Sequence, residues 1–198
     1  MAVECGASAV GLVSAMPSGP GPIAEELIAE IAARVPPPVA TFLLTCRQDA
    51  DSIVAQQRRC RVNTLQLCDR VPTEVYVELR AELPGVSLVQ VVHVGGEESF
   101  DEALSAAPHV DALLLDSGKP DLAVKELGGT GRTHDWRVSR RIVEASPVPV
   151  FLAGGLRPEN VAEAVGTVRP FGLDVCSGVR TGGRLDEEKL RRFFAQIV

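Results

Sequence analysis

The chain has no cluster of lysines and arginines, no paired-cysteine spacing, no long apolar run and no dinucleotide-binding glycine fingerprint. Each gap removes a class of function. With a net charge of −6 over 198 residues and no basic stripe, nothing supplies the phosphate-neutralising surface that a nucleic-acid partner requires. The 5 cysteines, at 5, 46, 60, 68 and 176, fall in neither a CxxC nor a zinc-ligand spacing. No metal centre is therefore expected, and an odd, scattered set points to reduced thiols in the cytoplasm. The first residues lack a basic segment ahead of an apolar stretch, and no run approaches membrane-spanning length. Neither a signal, an anchor nor a membrane partner is expected.

What is present is an ordinary globular composition, 45% hydrophobic and 23% charged, which argues against disorder and fits one domain over 1–198. Apolar, β-branched-rich runs alternate with amphipathic patterns. Strands are expected near 8–14, 38–44, 62–67, 86–93, 110–115, 148–152 and 171–176. Helices are expected near 22–35, 49–60, 72–82, 97–106, 135–145, 158–167 and 185–197. In the first helix Ile23, Leu27, Ile28, Ile31 and Val35 recur at three- and four-residue steps, with Glu25, Glu26 and Glu30 between them. Strands such as Asp111-Ala-Leu-Leu-Leu115 are continuous apolar runs, as expected for strands covered on both faces of a parallel α/β sheet.

Two consecutive strands end in small residues that face a helix start: Leu152-Ala-Gly154-Gly155 and Asp174-Val-Cys-Ser177-Gly178. Glycines directly after a strand let the backbone approach a ligand, with the N–H groups of the next turn pointing outward. Paired in this way after the last two strands, such turns form the phosphate cradle of a (β/α)8 barrel. Seven strands and seven helices are one unit short of that closed barrel. Ala2-Val-Glu-Cys-Gly6 reads as a helix tail with its glycine cap, so the first strand and most of the first helix of an eight-unit series are missing. An upstream segment of about 30 residues, one barrel unit, is expected in the natural protein.

Asp116 ends an apolar strand at the face where a barrel holds its reacting groups. Partial desolvation there is expected to raise its pKa and suit it to general acid work; the competing reading is a cap or ion-pair partner. The connection that follows, 117–134, is long enough to serve as a lid, and its glycines, Gly129 and Gly131 among them, are expected to add N–H groups to the phosphate site. Asp135 is placed to cap the next helix. Asp174 sits in a run too short for alternation to say whether it faces the barrel interior or the helices. Cys46, Cys68 and Cys176 fall at strand ends, where a thiolate base is conceivable but a small buried hydrophobe is the commoner outcome. His93 and His134 read as structural, and Arg132 as either a phosphate ligand or a solvated side chain.

The linked motifs Leu113-Leu-Leu-Asp116, Gly128-Gly-Thr-Gly131-Arg-Thr-His-Asp-Trp136, Leu152-Ala-Gly-Gly-Leu-Arg-Pro-Glu-Asn-Val161 and Gly172-Leu-Asp174, with Ser177-Gly178, resemble phosphoribosylanthranilate isomerase, the (β/α)8 enzyme of tryptophan biosynthesis. The resemblance implies an Amadori rearrangement of an aldosylamine to a ketose, with a small phosphorylated sugar-amine as partner and no cofactor. It implies Asp116 as the general acid, phosphate on Gly154, Gly155, Ser177 and Gly178, and Asp174 in the anthranilate pocket. The family's base is a cysteine in a first strand with no counterpart here; Cys5 aligns with the helix after it. Three further departures stand out. The loop Met16-Pro-Ser-Gly-Pro-Gly-Pro22 has no cation where the family carries an arginine for the anthranilate carboxylate. Cys68-Asp69 replaces His-Gly, and His134 replaces a phenylalanine. An isomerase of another phosphoribosyl-amine and a non-catalytic phosphosugar binder are the alternative readings.

Overall fold

The computed structural model describes residues 1–17, 19, 21–127 and 131–197. All seven expected strands and all seven expected helices are found, with no boundary displaced by more than three residues. In order they are β1 (Ala9–Val13), α1 (Glu25–Ala32), β2 (Ala40–Thr45), α2 (Ala50–Cys60), β3 (Thr64–Leu67), α3 (Thr73–Glu82), β4 (Ser87–His93), α4 (Glu98–Ala106), β5 (Ala112–Asp116), α5 (Trp136–Ala145), β6 (Val150–Leu152), α6 (Val161–Val168) and β7 (Gly172–Leu173). A short hairpin, β8 (Arg180–Thr181) and β9 (Arg184–Leu185), which periodicity does not predict, precedes α7 (Glu187–Ala195).

The seven strands form one parallel sheet in sequence order, β1 to β7. Alternation sorts each strand between two cores. Leu43, Leu65, Leu67, Leu113, Leu115 and Leu152 point outward, are fully buried, and join the helices in the larger cluster. Burying each such side chain contributes about 1.5–3 kcal/mol. The other face curls around a smaller cluster of Cys68, Val89, Val91, Ala112, Leu114 and Ala153. This is the layered interior of the (β/α) barrel architecture expected from the sequence.

Among the described residues β1 pairs with β2 and β7 with β6, leaving an open seam between β1 and β7. Ala2–Gly6 forms a turn with Gly6 at φ 103°, as a glycine cap requires. In α1, Ile28 is fully buried, whereas Leu27 stays 43% exposed. That helix overlies the edge of the sheet and packs chiefly against α2, so the apolar stripe read from its sequence is wider than the surface it covers. The side chain of Asp49 accepts from Ser52 N at 2.9 Å and starts α2, and Asp186 accepts from Lys189 N at 3.1 Å and starts α7.

Candidate active site

The C-terminal ends of the strands form a bowl whose rim is set by register. His93 pairs with Asp116, and the ladder continues through Ala153 N to Leu115 O at 2.7 Å and Asp174 N to Leu152 O at 2.9 Å. His93, Asp116, Ala153 and Asp174 thus share one inward row across β4 to β7. Asp116 and Asp174 stand two strands apart, about 10 Å at the backbone, with only the methyl of Ala153 between them. They open on one cavity together with Gly131, Gly154, Gly155, Leu156, Val175, Cys176 and Ser177. The register, rather than local sequence, turns Asp174 to the interior.

Asp116 is 9% exposed, and its Oδ1 accepts from Ser117 N at 2.7 Å. Among the described residues it caps no helix and forms no ion pair. Asp174 keeps water on one side through the seam, yet the protein atoms crowding it, and then the charge of Asp116, push its carboxyl up to about 6. A hydrogen bond from the Val175 backbone opposes the rise.

The glycine turns work by close approach. Gly155, at φ 62°, lies against the lid where it descends: a Cβ there would stand 2.6 Å from the Arg132 carbonyl carbon and 2.8 Å from Thr133 N. Gly178 stands behind the cavity lining. A Cβ on it would fall on the Leu156 carbonyl and 3.0 Å from Arg157 Cα, so its bare backbone lets the Ser177–Val179 turn pack on the turn after β6. Ser177 faces Gly131 across the cavity mouth. Gly129, the remaining expected phosphate residue, lies outside the described residues.

The described part of the lid, 117–127 and 131–134, is tied down at several points. Lys119 and Glu126 exchange backbone hydrogen bonds of 2.7 and 3.0 Å. Leu127 is buried in the inner cluster, and Lys125 is paired with Asp69 at the end of β3. Arg132 pairs with Glu126 within the lid. His134 Nε2 lies 2.7 Å from Ser139 Oγ, and burial lowers the pKa of the ring against the opposing charge of Asp116. Asp135 caps α5 as expected, accepting from Arg137 N at 2.9 Å. His93 Nε2 lies 2.9 Å from the Cys68 carbonyl; because a carbonyl only accepts, that nitrogen carries the hydrogen and His93 serves structure.

Burial raises the Cys46 thiol and drives that of Cys68 far above the ordinary range, with Asp116 adding to the latter. Both are protonated at neutral pH, so neither supplies the thiolate base that position alone made conceivable. The Asp69–Lys125 pair escaped sequence reading because its members lie 56 residues apart. The one signal was the replacement of glycine by Asp69. A second groove, between α2 and α3 and lined by Asp51, Arg58, Glu78 and Glu82, is on the outer helical layer, away from the strand ends.

Residues 3–196 match the family model described as N-(5'phosphoribosyl)anthranilate (PRA) isomerase. The chain belongs to this family. It is 35% identical to the N-(5'-phosphoribosyl)anthranilate isomerase of Methanocella arvoryzae over 98% of this chain and 88% of that one. With the enzyme of Haloferax volcanii identity is 41%, over 96% of this chain and 83% of the relative. A crystal structure of phosphoribosyl anthranilate isomerase in complex with reduced 1-(o-carboxyphenylamino)-1-deoxyribulose 5-phosphate superposes with a TM-score of 0.79 at 28% identity, covering 98% of this chain and 89% of that structure. The PRA isomerase relatives therefore share its barrel from end to end of the matched region. Among the described residues no helix is long and apolar enough to cross a membrane.

Proposed function

We propose that this chain, working in the cytoplasm, converts N-(5'-phosphoribosyl)anthranilate to 1-(2-carboxyphenylamino)-1-deoxyribulose 5-phosphate by an acid–base Amadori rearrangement. The convergence of Asp116, Asp174 and the glycine turns on one cavity at the strand ends carries this reading. The phosphate lies on the backbone of Gly131, Gly154, Gly155 and Ser177, held there by the packing of Gly178, with Gly129 of the lid as a further contact. Asp116 gives a proton to the ribose ring oxygen as the C1–O bond breaks and the aryl nitrogen lone pair forms C=N. The protonated Schiff base is cationic, and the carboxylate of Asp174 facing it lowers the energy of that charge. A general base, a cysteine in the family, takes the C2 proton to give the enolamine, which becomes the ketone as C1 gains a proton and the C2 hydroxyl loses one. Every step moves a proton or an electron pair within one molecule, and the carbon skeleton is unchanged.

The test follows the loss of substrate fluorescence with wild type and Asp116→Asn. The variant should lose about 100-fold or more in kcat with little change in KM. An unchanged kcat removes Asp116 from the acid role. No turnover by the wild type, with phosphosugar binding intact, would favour the non-catalytic binder.

A further inference from the structure

The substrate proposed above carries an anion at each end, a phosphate on C5 and a carboxylate on the aromatic ring. The glycine turns after β6 and β7 account for the first. The second needs an opposite charge across the bowl, above β1 to β3. The loop leaving β1, residues 14–24, contains no lysine or arginine, and Met16 from it packs on the inner apolar cluster. Arg47, after β2, is turned outward to Glu25 of α1 at 3.4 Å. Arg70, after β3, is held in a fork by Glu102 of α4 at 2.8 and 2.7 Å. Both point to the helical layer, Arg70 also reaching Asp121, an exposed lid residue, at 3.7 Å.

Lys125 does not. Its ammonium binds Asp69, a carboxylate 6% exposed beside Cys68, and two residues further on Leu127 inserts into the same inner cluster as Cys68. The charges of Asp69 and Lys125 both act on the Cys46 thiol, which donates to Ala15 O at 3.3 Å on the β1 loop. The lid thus brings a cation over the part of the bowl where Met16 and Cys46 lie partly open above the buried Cys68, apolar and polarisable surfaces suited to an aromatic ring. An ammonium has three donors and can serve two carboxylates at once.

Resting on the isomerase reading, we propose that Lys125 recognises the aryl carboxylate of the substrate, delivered from the lid and oriented by Asp69.

The experiment measures binding of three probes to wild type, Lys125→Met and Arg47→Met. They are reduced 1-(o-carboxyphenylamino)-1-deoxyribulose 5-phosphate, the same compound without the ring carboxylate, and ribulose 5-phosphate. Lys125→Met should weaken the first by about tenfold or more, as for a hydrogen bond to a charged group, and leave the other two unchanged. Arg47→Met should change none. Equal weakening of all three by Lys125→Met would make the residue a lid strut and overturn the proposal, as would a carboxylate-specific loss in Arg47→Met alone. If the wild type binds the first two probes equally, the proposal falls while the phosphate site stands. If it binds none of the three, the isomerase reading falls and the proposal with it.

Discussion

Replacing Gly178 by alanine tests whether the phosphate cradle depends on two turns touching backbone to backbone. The new methyl would sit on the Leu156 carbonyl group, 2.9 Å from its carbon and 3.0 Å from Arg157 Cα. All three obstructing atoms are main chain, so no rotamer change relieves the clash and one turn must move. Val179, 2% exposed, ties its turn to the core, and its carbonyl accepts from Asp186 N at 2.9 Å, which resists that movement. Overpacking of this kind costs typically 1–3 kcal/mol, and a clash with backbone belongs at the upper end, about 3 kcal/mol. For a domain of this size that is a fall in Tm of roughly 6–12 °C. Displacing the Ser177 turn by about 1 Å should also weaken catalysis by on the order of 100-fold. Denaturant unfolding gives the first number, and turnover with ribulose 5-phosphate inhibition gives the second. A variant within 0.5 kcal/mol of wild type (about the error of such a measurement), with unchanged inhibition, would refute the packing argument and with it the view that Gly178 serves the cradle from behind.

Gly166 provides the opposite case. It lies in α6 with nothing within 4 Å of where a Cβ would stand, so Gly166→Ala should stabilise by about 0.5–1 kcal/mol with no effect on turnover, read by the same unfolding assay. Asp174→Asn separates charge from shape. The fold raises this carboxyl from the ordinary 3.8 to about 6, so it is the ionised form that the fold disfavours. The penalty is absent below 3.8 and complete above about 6. Because the side chain also meets water, any gain in Tm of the variant at pH 7–8 should be small, and it should disappear by pH 4. The variant should also lose the rise of wild-type kcat/KM as pH passes through about 6, whereas a flat wild-type profile across that range would remove the Asp174 carboxylate from the reaction.

Much of the barrel was legible because its local signals agree. Continuous apolar runs, the Asp135 cap and the regular alternation of strand and helix place fourteen elements without knowledge of any contact. Glycine pairs after two successive strands point to a phosphate site because close backbone approach is a local need. The β8–β9 hairpin was missed because each of its strands has two residues, too few to show a period.

Charge and contact were legible only in part. Asp116 announced itself as an acid ending an apolar strand, but the thiols of Cys46 and Cys68 could be judged only once their burial was known. The same holds for Asp174. Its neighbour across the bowl is 58 positions away in the chain, brought near by the register of three parallel strands.

The order of amino acids was thus sufficient for the seven parallel strands and seven helices, the strand-end acid and the glycine turns, since each rests on steric and solvation preferences acting within a few residues. Folding decided which side chains share the cavity, that Asp174 turns inward, that the two strand-end thiols stay protonated, and that Lys125 meets Asp69. Those outcomes depend on sheet register and on the exclusion of water by residues remote in sequence, and neither exists until the barrel has assembled.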